Sequence, residues 1–403
     1  VTGLDIAVTG LGLVTPGGVG VEAGWAAVCA GRSTAAHDPT LAGHEVSISC
    51  RVPDFDADAL LGARRAVRLD RFAQLALVAA REAVADEERT TWDAARVGVV
   101  IGTSSGGGET FERQHGLLLA DGPTGVSPLL LPMHLPNMVA GQIAMEFGFH
   151  GPNLVVATAC ASGATAIGVA CDLLAARRCD VVLAGGVDAL LNPLTMAGFA
   201  RMGALSRRTD PATASRPFDA DRDGFVAAEG AAVLVLRRAE DARADGRPVR
   251  ARIVGYGATA DAHHITKPDP EGRGVIAAVR AALADAGAAP GDVGHVNAHG
   301  TSTQLNDLVE GRVLAGLLPS GPLVTSTKGV TGHMLGAAGA AEAVFTVLAV
   351  EQGIVPPTAN LDTLDPELDI DVATTAVPLG VELALSNSFG FGGQNAVLAI
   401  ARA

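Results

Sequence analysis

Aromatic side chains make up only 3 % of this 403-residue chain, so its core must be assembled from Val, Leu, Ile and Ala with little ring packing. Lysine is nearly missing. Lys267 and Lys328 are the only two, against 29 lysines and arginines together. That imbalance reads as a GC-rich coding bias, which makes the lysine at 328 stand out. Cysteine is scarce too: Cys29, Cys50, Cys160, Cys171 and Cys179 are too few and oddly numbered for a disulfide framework, and they imply reduced thiols. Positive charge is in deficit, and the formal net charge of −14 argues against nucleic acid or an anionic membrane as the main partner. No apolar run reaches the roughly 20 residues of a membrane span, and no basic flank precedes the first one, so a cytoplasmic address is expected.

What is abundant is small and apolar. Apolar residues make up 48 % of the chain, and its 50 glycines follow no collagen-like period, which implies tight turns and close backbone approaches. The length exceeds one ordinary core, so two domains or a duplicated one is expected. Short apolar stretches read as buried strands at 6–8, 97–101, 154–158 and 181–184, with helical spacing over 71–86 and 164–176. After 233–236 the pattern restarts, with helical spacing over 275–286 and 337–350 and apolar strands at 253–254, 295–297, 324, 384–386 and 396–400. This alternation predicts an α/β protein with largely parallel sheets covered on both faces.

Chemistry gathers in four segments. In Thr158-Ala159-Cys160-Ala161-Ser162-Gly163 an apolar strand breaks straight into a helix start. A sulfur lifted on that turn meets the positive end of a helix dipole, which favours thiolate. Asn297-Ala298-His299-Gly300-Thr301-Ser302-Thr303 and Ser326-Thr327-Lys328-Gly329-Val330-Thr331-Gly332-His333 each set a histidine among small and hydroxylated residues, as a ligand-crowded site requires. Asn387-Ser388-Phe389-Gly390-Phe391-Gly392-Gly393 supplies flexible backbone whose N–H groups could face an oxyanion. These are the parts of an acyl-transfer site. A Cys/His/His zinc site has the right residue types but lacks short ligand spacing, and a metal would consume the nucleophile. Asp219-Ala220-Asp221-Arg222-Asp223-Gly224 begins like a calcium loop, yet its twelfth position is Gly230 and the segment reads as structural. Gly106-Gly107-Gly108 lacks the lysine of a phosphate loop.

In their order and spacing the four segments resemble the elongating β-ketoacyl-acyl carrier protein synthases, the condensing enzymes of dissociated fatty acid and polyketide systems. The resemblance runs from Val8-Thr9-Gly10-Leu11-Gly12 to the last of the four segments. It implies a thiolase-like five-layer αβαβα fold from two similar halves, 1–250 with the nucleophile and 251–403 with the two histidines. Cys160 is implied to carry the acyl chain as a thioester, while His299 and His333 hold the oxygen of a decarboxylating malonyl thioester. Lys328, Glu342, Asp307 and Glu310 are implied to form a buried charge network orienting the histidines. The Phe391 and Cys160 N–H groups make the oxyanion hole, and the Phe391 ring gates the pocket beside Phe389. Thr301 and Thr303 contact pantetheine, and Ser105 lines the acyl channel. Arg64, Arg65 and Arg68, with Arg64 and Arg68 on one helix face, dock an acidic acyl carrier protein; Arg207 and Arg208 are weaker candidates. No cofactor is implied beyond phosphopantetheine-borne substrates. A homodimer is usual, and a heterodimer with a non-catalytic chain-length partner is open.

Two other functions compete. A thiolase would want a second catalytic cysteine near the C-terminus, and none follows Cys179. A chain-length partner lacks the nucleophile, whereas Cys160 is present. Ser104-Ser105, Ala228 and Gln394 depart from the pattern of the fatty acid enzymes and tilt the reading toward a specialised polyketide or polyene pathway.

Overall fold

In a computed structural model, which describes residues 3–403, ten principal strands form one twisted sheet system. They are β1 (Ile6–Thr15), β2 (Val97–Gly102), β3 (Asn153–Val156), β4 (Val181–Asp188), β5 (Gly230–Arg238), β6 (Ala251–Ala260), β7 (His295–Asn297), β8 (Leu323–Thr325), β9 (Leu383–Gly390) and β10 (Gln394–Arg402). The six helices that cover them are α1 (Arg71–Ala83), α2 (Met138–Phe147), α3 (Ser162–Ala175), α4 (Arg273–Ala286), α5 (Gln304–Leu317) and α6 (Ala338–Gln352).

Strand order exposes a duplication. The first half runs β3-β2-β4-β5-β1 and the second β8-β7-β9-β10-β6. In both, two antiparallel pairings (β1–β5 and β5–β4; β6–β10 and β10–β9) are followed by two parallel ones. The halves join where Ile6–Val8 pairs with Ala251–Ile253. The sheet is therefore mixed, not largely parallel as the alternation suggested. The reason is local: β9 and β10 form a hairpin with no crossover helix to impose parallel direction. A second difference lies at β3. This strand ends at Val156 and lies at the outer edge of its half, so Leu154 stays 41 % exposed instead of buried.

The repeat extends to packing. In β1, a Cβ on Gly10 or Gly12 would lie 2.1 Å from the Ala83 carbonyl oxygen of α1 or 1.8 Å from that of Ala79. In β6, a Cβ on Gly255 or Gly257 would lie 2.1 Å from the Ala282 oxygen of α4 or 2.0 Å from that of Ala278. Each half thus brings its first helix down onto a Gly-X-Gly strand at a separation no side chain permits. Helices α3 and α6 fill the layer between the sheets. Every residue of α6 from Ala338 to Val350 is buried, and this is why it carries no polar face. The stretch Leu335–Gln352 is apolar enough over 18 residues to match a membrane span by composition, but 89 % of it is buried in the interior. The layers run α1/α2, sheet, α3/α6, sheet, α4/α5, and the loops at the carboxyl ends of the parallel strands converge on one cleft.

Candidate active site

The cleft holds a cavity of about 420 Å³ whose wall includes Cys160, His299, His333, Thr301, Phe389 and Phe391. Cys160 stands on a strained elbow: Ala159 before it has φ +49°, a left-handed backbone that a non-glycine residue adopts only when its surroundings enforce it. Ser162 enforces it. Its hydroxyl donates to the Ala159 carbonyl at 2.7 Å and accepts from the Thr158 N–H at 2.9 Å. Helix α3 begins at Ser162, so the thiol precedes the helix instead of riding its first turn. Burial pushes the Cys160 thiol up to about 11, while the Lys328 ammonium and the Phe391 N–H pull it down. Burial thus opposes the thiolate that the helix dipole favours. Alkylation of Cys160 by iodoacetamide, followed on its own peptide, should keep rising about tenfold per pH unit beyond pH 9. A plateau near pH 7 would contradict this assignment.

The two histidines meet edge to face, with ring centroids 5.4 Å apart at 85°. His299 also packs against Phe389 at 5.6 Å and His333 against Phe225 at 5.2 Å. Burial and the nearby Lys328 charge hold both imidazoles well below their ordinary pKa, so they are neutral. Nδ1 of each ring is buried without a partner, which leaves Nε2 as the polar atom each ring can turn to a ligand. The His333 backbone is fixed by its N–H on the Val226 carbonyl at 2.8 Å and its carbonyl on the Ala228 N–H at 2.9 Å.

The expected four-membered charge network is in fact two separate devices. Lys328, 1 % exposed, pairs with Glu342 alone. Burial lifts that carboxyl to about 7 against the pull of the lysine. The pair sits behind the histidines and lines no part of the cavity, so Lys328 acts on them as a charge. Asp307 and Glu310 face the other way. Glu310 accepts the His299 and Gly300 N–H groups, both at 2.8 Å, and the Asn387 amide at 3.0 Å. Asp307 accepts the Ser302 N–H at 3.1 Å and the Phe218 N–H at 2.9 Å. They hold the loop whose Gly300 and Ser302 have φ +38° and +67°. Backbone donors took these carboxylates because they lie one helical turn apart on α5, directly beneath that loop.

Thr301 and Thr303 share a hydroxyl hydrogen bond of 2.9 Å on the cavity wall. Phe391 opens the three-residue turn between Gly390 and Gln394. This turn is pinned: the Gly392 N–H reaches the Ile265 carbonyl at 2.8 Å, and the Asp261 N–H reaches that of Gly393 at 2.8 Å.

Ser105 is a correction. It is exposed and is not part of the wall of this cavity; its neighbour Ser104 lines it, held by Asp188 through its N–H and hydroxyl. The docking arginines need correction as well. The helix carrying them spans only Ala63–Ala66, so Arg68 lies beyond it and shares no helix face with Arg64. Arg65 is paired with Glu146, which also binds Arg81 at 2.6 Å. Arg64 and Arg68 are exposed. Arg207 is exposed and faces Glu45 at 3.1 Å, and Arg208 donates to the Asp221 carbonyl at 2.9 Å.

The sequence reading missed Asp188, Arg222 and Lys267. Arg222 is buried and donates to the Thr303 and Gln304 carbonyls at 3.2 and 3.0 Å. Lys267, the other lysine, stands exposed on the cavity wall, and its rarity was the available signal. Asp219 spends its carboxylate on Arg216 and on the N–H groups of Asp221, Asp362 and Thr363 at 2.8–2.9 Å.

The chain matches the N-terminal domain of the β-ketoacyl synthases over residues 4–242 and their C-terminal domain over 250–362. It is 44 % identical to a 3-oxoacyl-[acyl-carrier-protein] synthase 2 of Synechocystis, covering 98 % of this chain and 97 % of that protein. A protein of the same name from Staphylococcus aureus is 42 % identical over 98 % of this chain and 97 % of its own. Among solved structures, the ishigamide ketosynthase/chain length factor superposes with a TM-score of 0.92 at 33 % identity over 100 % of both chains. A type II polyketide ketosynthase solved with its acyl carrier protein gives 0.90 at 30 % identity, again over 100 % of both.

Proposed function

We infer the reaction from one premise: the chain belongs to the β-ketoacyl synthase family. It is a condensing acyltransferase, and its reaction joins a Cys160-bound acyl chain to malonyl-acyl carrier protein with loss of CO2. The observation that carries this reading is the convergence of one thiol and two neutral imidazoles on a single cavity. The Cys160 sulfur attacks the acyl thioester, a new C–S bond forms, and the carrier thiol leaves with the proton. Malonyl thioester follows, and as CO2 departs the Nε2–H groups of His299 and His333 hold the enolate oxygen. A neutral donor suits this step, since it stabilises charge without giving up a proton. The enolate carbon then attacks the Cys160 thioester. The tetrahedral oxyanion is held by the Cys160 and Phe391 N–H groups and collapses with return of the thiol. Lys328, backed by Glu342, serves as a positioning charge.

Elongation in fatty acid synthesis is the pathway we favour. Support comes from identities above 40 % to 3-oxoacyl-[acyl-carrier-protein] synthases. A second reading, a type II polyketide or polyene pathway, is supported by the structural likeness to a type II polyketide ketosynthase and to a ketosynthase/chain length factor. Mass spectrometry of the protein after incubation with a panel of acyl carrier thioesters separates them. Saturated chains on Cys160 support the first, polyketonic or polyene chains support the second, and no acyl adduct contradicts both.

The partner in this reading is an acyl carrier protein, with no nucleic acid, membrane or further cofactor, in the cytoplasm. A homodimer or a chain-length partner fits the exposure of the apolar Leu119, Leu131, Met145 and Leu154, which are 74, 59, 63 and 41 % exposed. Carrier proteins are acidic and this chain carries −14, so encounter needs local positive charge. Exposed Arg64 and Arg68 supply it. Arg64→Glu with Arg68→Glu should raise KM for carrier-bound substrate about threefold to tenfold and flatten its salt dependence. Turnover of a small thioester mimic should not change, and equal loss on both substrates would assign these arginines a structural role.

A further inference from the structure

Asp188 ends β4, a strand whose eight residues are all buried, with no exposure of its own. Its carboxylate takes four donors. Thr103 Oγ1 reaches Oδ1 at 2.7 Å; Ser104 gives its N–H at 3.1–3.2 Å and its hydroxyl at 2.6 Å; the Gly336 N–H reaches Oδ2 at 2.6 Å. Every partner can donate, so the group serves as an acceptor; burial raises its pKa above the ordinary carboxylate range, and these donors pull it back down.

These contacts join two turns that have no other cushion between them. A Cβ on Gly336 would lie 2.6 Å from Asp188 Oδ2 and 2.7 Å from the Ser104 nitrogen, and one on Gly186 would lie 2.6 Å from the Gly336 oxygen. Backbone meets backbone there, and Asp188 is the tether. Each turn presents a residue to the cavity beside Cys160: Ser104 from the first and Leu335 from the second. Leu335 is held at φ +50°, which a leucine keeps only under external constraint.

We propose that Asp188 is a positioning residue that locks the Ser104 and Leu335 turns into one rigid wall beside Cys160, and thereby sets which acyl chains the cavity accepts. The inference rests on the acyl-transfer reading above. The same carboxylate also acts on the nucleophile, because its negative charge opposes ionisation of Cys160 while Lys328 favours it. Of the other titratable groups on the cavity wall, His299 and His333 are neutral, and Glu310, Asp223, Asp261 and Lys267 also face it.

Rates of Cys160 acylation across a series of acyl thioesters, together with the pH profile of its alkylation, test this in Asp188→Ala, Asp188→Asn and Asp188→Glu. Loss of the tether in Asp188→Ala should compress the ratio between the best and worst chain length by about fivefold or more. Asp188→Asn, which keeps the shape and loses the charge, should move the alkylation profile to lower pH, and Asp188→Glu should leave it near wild type. Should Asp188→Ala fail to fold, the Asn and Glu profiles still decide. An unchanged selectivity ratio in a folded Asp188→Ala, or an Asn profile identical to wild type, overturns the proposal. Absence of any acyl adduct in the wild type would instead overturn the acyl-transfer reading.

Discussion

Cys160→Ala should abolish carbon–carbon bond formation, by about 10⁴-fold or more, because no other thiol lines the cavity to carry the acyl chain as a thioester. The fold should survive. The elbow is secured by the Ser162 hydroxyl and not by the sulfur. Decarboxylation of malonyl carrier should persist, since His299 and His333 stand on separate loops held by their own backbone bonds. Elongation at near wild-type rate in the alanine variant would remove Cys160 from the mechanism.

The second large effect belongs to the histidines. His333→Ala should lower malonyl decarboxylation by about 10²–10³, the scale of losing one oxyanion donor. His299→Ala should behave alike, with acylation of Cys160 largely kept in at least one of the two. Because burial and Lys328 hold both pKa values well below 6.5, the donor form persists as pH falls. The rate should stay flat from pH 7.5 through the ordinary histidine range, where a free imidazole would gain a proton. Full decarboxylase activity in both variants, or a rate that tracks an ordinary histidine titration, would contradict the donor roles.

Much of the site was legible because its chemistry lies in short local segments. A cysteine between a strand and a helix, and histidines in loops of small residues, can be seen without knowing where the sheet goes. What decides orientation is distant. Ser105 was placed on the cavity wall by the resemblance, whereas the group that holds Ser104 there, Asp188, lies 84 positions away. A carboxylate ending an otherwise apolar buried strand was the signal for it. Asp307 and Glu310 were placed with Lys328 by the resemblance, whereas they accept the backbone N–H groups of the strained loop. The strands themselves followed from apolar runs, but their mixed direction depends on long-range pairing that periodicity does not encode. The duplication left a trace that could have been read: Gly10-Leu11-Gly12 and Gly255-Tyr256-Gly257 occupy matching strands and admit matching helices.

A single-turnover reaction tests the central assignment most directly. Enzyme carrying a defined acyl group on Cys160 is mixed with malonyl carrier protein labelled in the free carboxyl carbon, and CO2, bare enzyme and carrier product are measured together. The expected result is one labelled CO2 and one β-ketoacyl carrier, two carbons longer, for each acyl group that leaves Cys160. Loss of the acyl group as free acid, or release of CO2 without acyl transfer, would contradict a condensing site built from Cys160, His299 and His333.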